Sequence, residues 1–96
     1  MPTYAATERF LRDFDSLTEQ QRGQFRRARW RFVDDLRLQR CRSGLRVKAY
    51  QGMKGWFEMS WAPDGRALFS YGAPVIPGEP HVIWQRIGTH DIFRDA

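Results

Sequence analysis

The apolar residues of this chain change their spacing once, close to Ser43-Gly44. Before that point they recur every three or four residues, which is typical of helices. After it they alternate with polar residues, which is typical of strands. A chain of 96 residues has room for one core and not for two. The sequence therefore predicts a single domain, residues 1–96, in which helices precede a sheet.

The helical part is predicted to hold two helices. The first covers Thr7–Leu17 and the second Thr18–Gln39. The second has a clear start, because Thr18 and Gln21 have the spacing of a capping box, in which each side chain bonds a free backbone amide of the first turn. One apolar stripe of this helix has the spacing of a buried face. Its members are Phe25, Ala28, Phe32 and Leu36.

The second part of the chain is predicted to be mainly strands. LRVKAY, GWFEMSW, RALFSYG and HVIWQRIG are the candidate strands, and TYAA near the start is a further short one. Ala62–Gly65 has the residues of a tight turn, whereas Ala73–Pro80 is too rich in proline to be a central strand. We expect an α+β two-layer fold, with two helices on one face of a twisted antiparallel sheet of about four to five strands. The opposite face should be free, and its polar residues are the candidates for function.

Positive charge is concentrated in the helical part. The net charge is +5, and arginine supplies most of the 16 basic residues. The whole surplus falls in residues 1–46, while residues 47–96 are balanced. An arginine fork suits phosphate groups, but a basic surface also suits an acidic protein, so charge alone leaves both partners open. The surplus therefore predicts a docking surface rather than chemistry.

The cellular location and the need for cofactors are predicted mainly from features that the sequence lacks. A lone Cys41 excludes an internal disulfide and is expected to have no partner. The first residues have no apolar segment of a signal peptide, and no run approaches a membrane span. A cytoplasmic location without membrane association is therefore expected. No phosphate-binding loop, dinucleotide fingerprint or zinc spacing occurs, so neither a cofactor nor a metal is expected.

Four polar residues of the strand region could together cleave RNA by attack of a 2′-hydroxyl. That reaction needs a base, an acid and cations to stabilise the phosphorane, but it needs no metal. Histidine is the side chain that ordinarily titrates near neutrality. Glu58 or His90 would be the base, His90 the acid, and Arg66 and Arg86 the stabilising cations. Each also has a plain structural interpretation: Glu58 could pair with a lysine across the sheet, and His90 could cap the chain end.

The order of these segments resembles the RelE/ParE superfamily of bacterial toxins, and most closely its RelE/YoeB/HigB-type branch as found in actinobacteria. YAATERFLRDFDSLTEQQR, LRVKAYQGMKGWFEMSWAPDGRALFSYG and HVIWQRIGTHDIF carry the resemblance, which covers nearly the whole chain. It implies a toxin of a type II toxin–antitoxin system that cuts mRNA on the ribosome. A ParE-like inhibitor of DNA gyrase and an inactive relative that binds RNA or protein are the alternatives.

The resemblance also implies roles for particular positions. The family has a catalytic arginine directly after the hairpin turn, where Arg66 stands, and active-site polar groups on the strand before it, where Glu58 stands. Arg86 and His90 match the basic or histidine groups of its C-terminal end. The chain departs from RelE proper, which has two lysines on the strand before the turn, and from the His-Tyr ending of YoeB. The residues expected to contact RNA are Lys48, Lys54 and Tyr71.

The partners implied are the ribosome with its mRNA and a cognate antitoxin, acidic or DNA-binding, from an adjacent gene. Trp30 lies outside the apolar stripe of the second helix, and an exposed tryptophan among arginines is typical of a protein-binding surface. We therefore predict that the antitoxin contacts the helical half. The residues predicted for this contact are Trp30, Arg22, Arg26 and Arg29.

Overall fold

The computed structural model describes residues 2–40 and 42–95, except for the side chains of 94 and 95. The expectation for Cys41 therefore lies outside the described residues. The elements are β1 (Thr3–Ala6), α1 (Glu8–Asp15), α2 (Glu19–Arg37), a 3-10 turn (Ser43–Leu45), β2 (Lys48–Ala49), β3 (Trp56–Ser60), β4 (Gly65–Gly72), β5 (His81–Thr89) and α3 (Ile92–Asp95).

The five strands form one sheet in the order β1-β5-β4-β3-β2. The predicted α+β architecture is confirmed, and β2 to β5 are antiparallel as expected. The edge strand β1 differs, because it pairs in parallel with β5, so the sheet is mixed. This parallel pairing is possible because α1 and α2 carry the chain from β1 at one edge of the sheet to β2 at the other edge, and the antiparallel strands β2 to β5 then lead back to β1.

Both long helices begin where the sequence places them. The Thr18 hydroxyl accepts a bond from the Gln21 amide at 3.1 Å, and the Gln21 side chain accepts one from the Thr18 amide at 2.8 Å. This confirms the capping box. Thr7 caps α1 by accepting from the Phe10 amide at 3.1 Å. Helix α2 ends at Arg37, two residues earlier than predicted.

An aromatic cluster forms the core between α2 and the sheet. The Phe25 and Trp84 rings meet edge to face at 5.2 Å, and the Phe32 and Phe69 rings are 4.8 Å apart. Such pairs each add about 0.5–1.5 kcal/mol beyond the area they bury. The predicted apolar stripe is therefore correct, with Leu36 packed at the margin of the core.

Strand alternation assigns the residues of β3 to two faces. Met59 is fully buried under the helices, whereas its neighbours Glu58 and Ser60 belong to the opposite face. That face is not wholly free, because the segment after β5 folds back over one end of it. Ile92 there is buried, and Phe93 stacks at 5.6 Å on Tyr50, which follows β2.

Candidate functional site

Strand pairing places the predicted active-site positions of β3 and β4 on the face opposite the helices. Glu58 is paired with Leu68, and Ser60 is paired with Arg66. Positions two apart on a strand share a face, so Glu58 and Arg66 are diagonal neighbours on one surface. The sequence prediction that these two residues share a surface is therefore supported by the register.

Arg66 is held tightly at the start of β4. Only 8% of the residue is exposed, and its Nη1 donates to the carbonyl oxygens of Gly65 at 2.8 Å and Pro63 at 3.3 Å. Its own carbonyl oxygen accepts a bond from the Trp61 indole at 2.9 Å. Within the part of the chain that the structure describes, its Nε and Nη2 have no hydrogen-bond partner. One side of the fork is thus fixed by the turn, and the other side is available to an anion.

His90 lies beside the same turn and is oriented by Asp64. Gly65 is paired with Thr89, so the residues just beyond this pair, Asp64 and His90, also lie close together. His90 Nδ1 lies 3.0 Å from Asp64 Oδ1. A carboxylate only accepts hydrogen bonds, so this contact assigns the proton of the neutral ring to Nδ1 and leaves Nε2 without one. The ring also meets the Phe93 ring edge to face at 5.6 Å.

Glu58 pairs with Lys48 across the sheet. Lys48 Nζ lies 3.5 Å from Glu58 Oε1, and the two residues are direct partners of β2 and β3. The Lys48 side chain is largely exposed, while the Glu58 carboxylate is mostly covered. Glu58 therefore pairs with a lysine across the sheet, as its structural interpretation predicts. This pair lies on the same face as Arg66.

Strand register places Arg86 on the same face as Arg66, because it is paired with Leu68, but its guanidinium is bound to Asp13 of α1. Its Nε donates to Asp13 Oδ2 at 2.8 Å, and the same oxygen accepts a bond from the Ile87 amide at 3.2 Å. Arg86 is 7% exposed, and its Nη1 is buried with no hydrogen-bond partner among the described residues. These bonds hold α1 against the part of β5 with which β1 does not pair. Because Asp13 lies on a distant segment, sequence spacing gave no sign of it.

The remaining predicted RNA contacts are dispersed. Tyr71 was expected on the open face, but its ring meets Phe57 at 5.5 Å and Phe69 at 5.7 Å. That expectation was wrong, because strand alternation puts positions 67, 69 and 71 on the side of the helices. Lys54 lies exposed in the loop between β2 and β3.

The predicted antitoxin residues of α2 lie along one side of the helix. Trp30 is 66% exposed, as expected from its position outside the apolar stripe. Arg29 and Arg26 lie over aromatic rings, those of Tyr4 at 5.8 Å and Phe14 at 5.6 Å. Arg22 donates to the carbonyl oxygens at the end of α1, so it stabilises the helix pair as well.

A basic pocket, which the sequence did not predict, opens beside Arg66. Its volume is about 660 Å³, and it lies between α2, the 3-10 turn and the β3–β4 hairpin. Arg31, Arg42, Arg46 and Arg66 line it, and none of its lining residues is acidic. The sequence singled out Arg22, Arg26 and Arg29 on this helix but not Arg31, and the other pocket arginines lie in separate segments that only the fold joins.

The buried residue Asp35 holds Arg42, one of the arginines that line the pocket. It is 2% exposed, and its carboxylate accepts bonds from the Arg42 Nε, Nη2 and backbone amide at 2.8–3.1 Å. Hydrogen bonding from Arg42 lowers the pKa of Asp35 far below its ordinary value, although burial opposes this. The same contact raises the pKa of Arg42. Both groups therefore remain charged at neutral pH, and Arg42 is held against the pocket wall.

Across residues 2–40 and 42–95, no cluster of three or more histidine, cysteine, aspartate or glutamate side chains is placed to hold a metal ion. None of the helices in the same ranges is long and apolar enough to cross a membrane.

The fold is shared with solved bacterial and archaeal toxins. A chain of the E. coli DinJ–YafQ toxin–antitoxin complex superimposes with a TM-score of 0.70 at 12% identity, covering 95% of this chain and 94% of that one. The E. coli RelBE complex gives 0.60 at 18%, covering 93% and 96%. The RelB–RelE complex of Methanococcus jannaschii gives 0.57 at 13%, covering 97% and 95%.

No protein-family model matches the sequence, and no curated protein matches it either. Identities this low establish shape and not chemistry. The chain has the RelE-like toxin fold: two helices on an open, mixed sheet of five strands.

Proposed function

We propose that this protein is the toxin of a type II toxin–antitoxin system and that it cleaves mRNA on the ribosome. The observation that carries the proposal is the half-available fork of Arg66 beside the oriented pair of His90 and Asp64. Cleavage of RNA by its own 2′-hydroxyl requires a fixed cation and a proton-transfer group, and this turn supplies both.

The chemistry assigns a separate task to each group. A base removes the 2′-hydroxyl proton, the oxygen attacks the adjacent phosphorus, and the 5′-oxygen leaves as it takes a proton. His90 in its protonated form donates that proton, and Asp64 stabilises the imidazolium. Arg66 offers Nε and Nη2 to the phosphorane oxygens. Glu58 is the candidate base, and its contact with Lys48 orients the carboxylate.

The decisive experiment is mRNA cleavage on purified ribosomes. His90→Gln should lower the cleavage rate by about 10²–10⁴-fold, the usual contribution of a general acid, while the fold persists because His90 is exposed. Arg66→Lys keeps the charge and removes the fork, so it should also be impaired. The matched control is Arg27→Ala, which removes an exposed arginine of α2.

Two results would contradict this proposal. One is intact mRNA after incubation of the wild-type protein with translating ribosomes. The other is full activity of His90→Gln. Growth arrest with DNA damage signalling and intact mRNA would instead indicate a gyrase-binding poison on the same fold.

The proposed partner is an antitoxin that covers the helical half. The solved neighbours include toxin–antitoxin complexes, and Trp30 is an exposed aromatic residue between arginines. Trp30→Ala should weaken binding of the protein encoded beside this one, measured by calorimetry, by about tenfold or more. Val75→Ala is a suitable control, since Val75 is exposed to the same extent on another segment. Unchanged affinity of Trp30→Ala would exclude this surface.

A further inference from the structure

We infer that the basic pocket beside Arg66 binds phosphate groups of the RNA strand that lies on the active face. This inference rests on the proposed function, because it assigns part of the substrate to a new site. The four arginines and the absence of any acidic lining residue define the ligand as an anion with several charges. The pocket volume of about 660 Å³ is sufficient for nucleotide-sized groups.

The guanidinium groups of the pocket are available for binding. Arg31 and Arg46 have no ion pair within the residues that the structure describes. The acidic contacts of Arg42 go through its Nε and Nη2, which leaves Nη1 without one. Like charges gathered around one pocket repel each other, and a bound polyanion would reduce the repulsion.

The backbone holds one arginine in an uncommon conformation. Arg46 follows the 3-10 turn with φ of 50° and ψ of 45°, the left-handed region that non-glycine residues rarely adopt. The buried side chain of Leu45, directly before it, anchors this turn in the core. A conformation of this kind costs about 1 kcal/mol or more, and such residues cluster at binding sites.

Arg66 favours RNA over an acidic protein as the ligand of the basic pocket. This residue lines the pocket and also belongs, by strand register, to the face of the proposed cleavage site, so one arginine is shared by the two sites. An RNA strand that places one phosphate on the Nε and Nη2 of Arg66 would extend its neighbouring phosphates toward Arg31 and Arg46. An arginine fork binds phosphate through two hydrogen bonds, which fixes position as well as charge.

Gly44 offers a way to test the pocket without removing an arginine. It lines the pocket, and a Cβ added there meets no atom within 4 Å. Gly44→Asp therefore adds a negative charge without a clash, and Gly44→Asn is a control of nearly equal size. Arg31→Gln and Arg46→Gln test the same site by removing charge.

The binding probe is a short 2′-O-methyl oligoribonucleotide, which cannot be cleaved by 2′-hydroxyl attack. Its affinity is measured by fluorescence anisotropy at several salt concentrations. Gly44→Asp should bind about tenfold more weakly than Gly44→Asn. Arg31→Gln and Arg46→Gln should each reduce the slope of log K against log salt by about 0.7, the value for one phosphate contact on a single strand.

Two outcomes would overturn the inference. The first is that affinity and salt dependence are the same in all four variants as in the wild type. The second is that Gly44→Asp weakens binding of the antitoxin while RNA binding is unchanged, which would make the pocket a protein site. Because the probe is not cleaved, absence of ribosomal cleavage by the wild type would contradict the proposed function alone.

Discussion

The buried carboxylate of Asp35 should control both the stability of the protein and the shape of the basic pocket. Asp35→Asn keeps the size of the side chain but removes the charge that holds Arg42. Arg42 gives it three hydrogen bonds of 2.8–3.1 Å through side-chain nitrogens, and Arg40 gives it one of 3.0 Å. A hydrogen bond to a charged group is worth about 1.5–3 kcal/mol.

Partial exposure of the partners reduces that sum. About a third of the Arg42 side chain and half of the Arg40 side chain are exposed, so both turn toward water when the charge is lost. The asparagine side chain in the variant still offers one acceptor oxygen. We therefore expect Asp35→Asn to lower the free energy of unfolding by about 2–3 kcal/mol, which corresponds to a fall in Tm of about 10–20 °C.

The effect should depend on pH in a defined direction. Because hydrogen bonding from Arg42 lowers the pKa of Asp35 in the folded protein, its contribution is complete above the unfolded pKa, which is about 3.9. Below that pH the contribution falls by about 1.4 kcal/mol per unit. The stability difference between wild type and Asp35→Asn should therefore be roughly 1 kcal/mol smaller at pH 3 than at pH 7.

Urea denaturation at pH 7, 5 and 3 measures this difference, and Asp34→Asn is the matched control. Asp34 contacts the same two arginines, but at 3.3 and 3.4 Å and with a third of its side chain exposed. Its substitution should cost less than about 1 kcal/mol. Equal losses for the two variants, or a loss for Asp35→Asn that persists unchanged at pH 3, would contradict the stabilising role of the Asp35 charge.

Three further predictions concern stability and can be checked by chemical denaturation. Thr18→Ala removes the capping box of α2 and should cost about 1 kcal/mol; an unchanged midpoint would mean that this helix start is not limiting. Gly88→Ala should destabilise the fold and loosen the C-terminal segment, because its Cβ would lie 2.6 Å from Ile92, whereas Gly44→Ala should be close to neutral. Asp13→Ala leaves the buried cation of Arg86 unpaired and should cost about 3–5 kcal/mol, so a loss below about 1 kcal/mol would contradict its role.

The local structure of this protein can be predicted from its sequence. The capping box at Thr18 and Gln21 sets the start of α2, because it depends only on residues three apart. The alternation around Met59 assigns Glu58 to the outer face, because side chains of a strand repeat every two residues. The exposure of Trp30 follows from helical geometry in the same way.

The contacts between distant segments became visible only in the folded protein. The parallel pairing of β1 with β5, the bond between Asp13 and Arg86 and the grouping of arginines in the basic pocket each join residues far apart in the chain. Periodicity describes one element at a time, so it could not show that Arg86 is held by α1 or that Asp35 fixes Arg42 beside Arg66. Such contacts depend on how the elements pack, and packing is a property of the whole core.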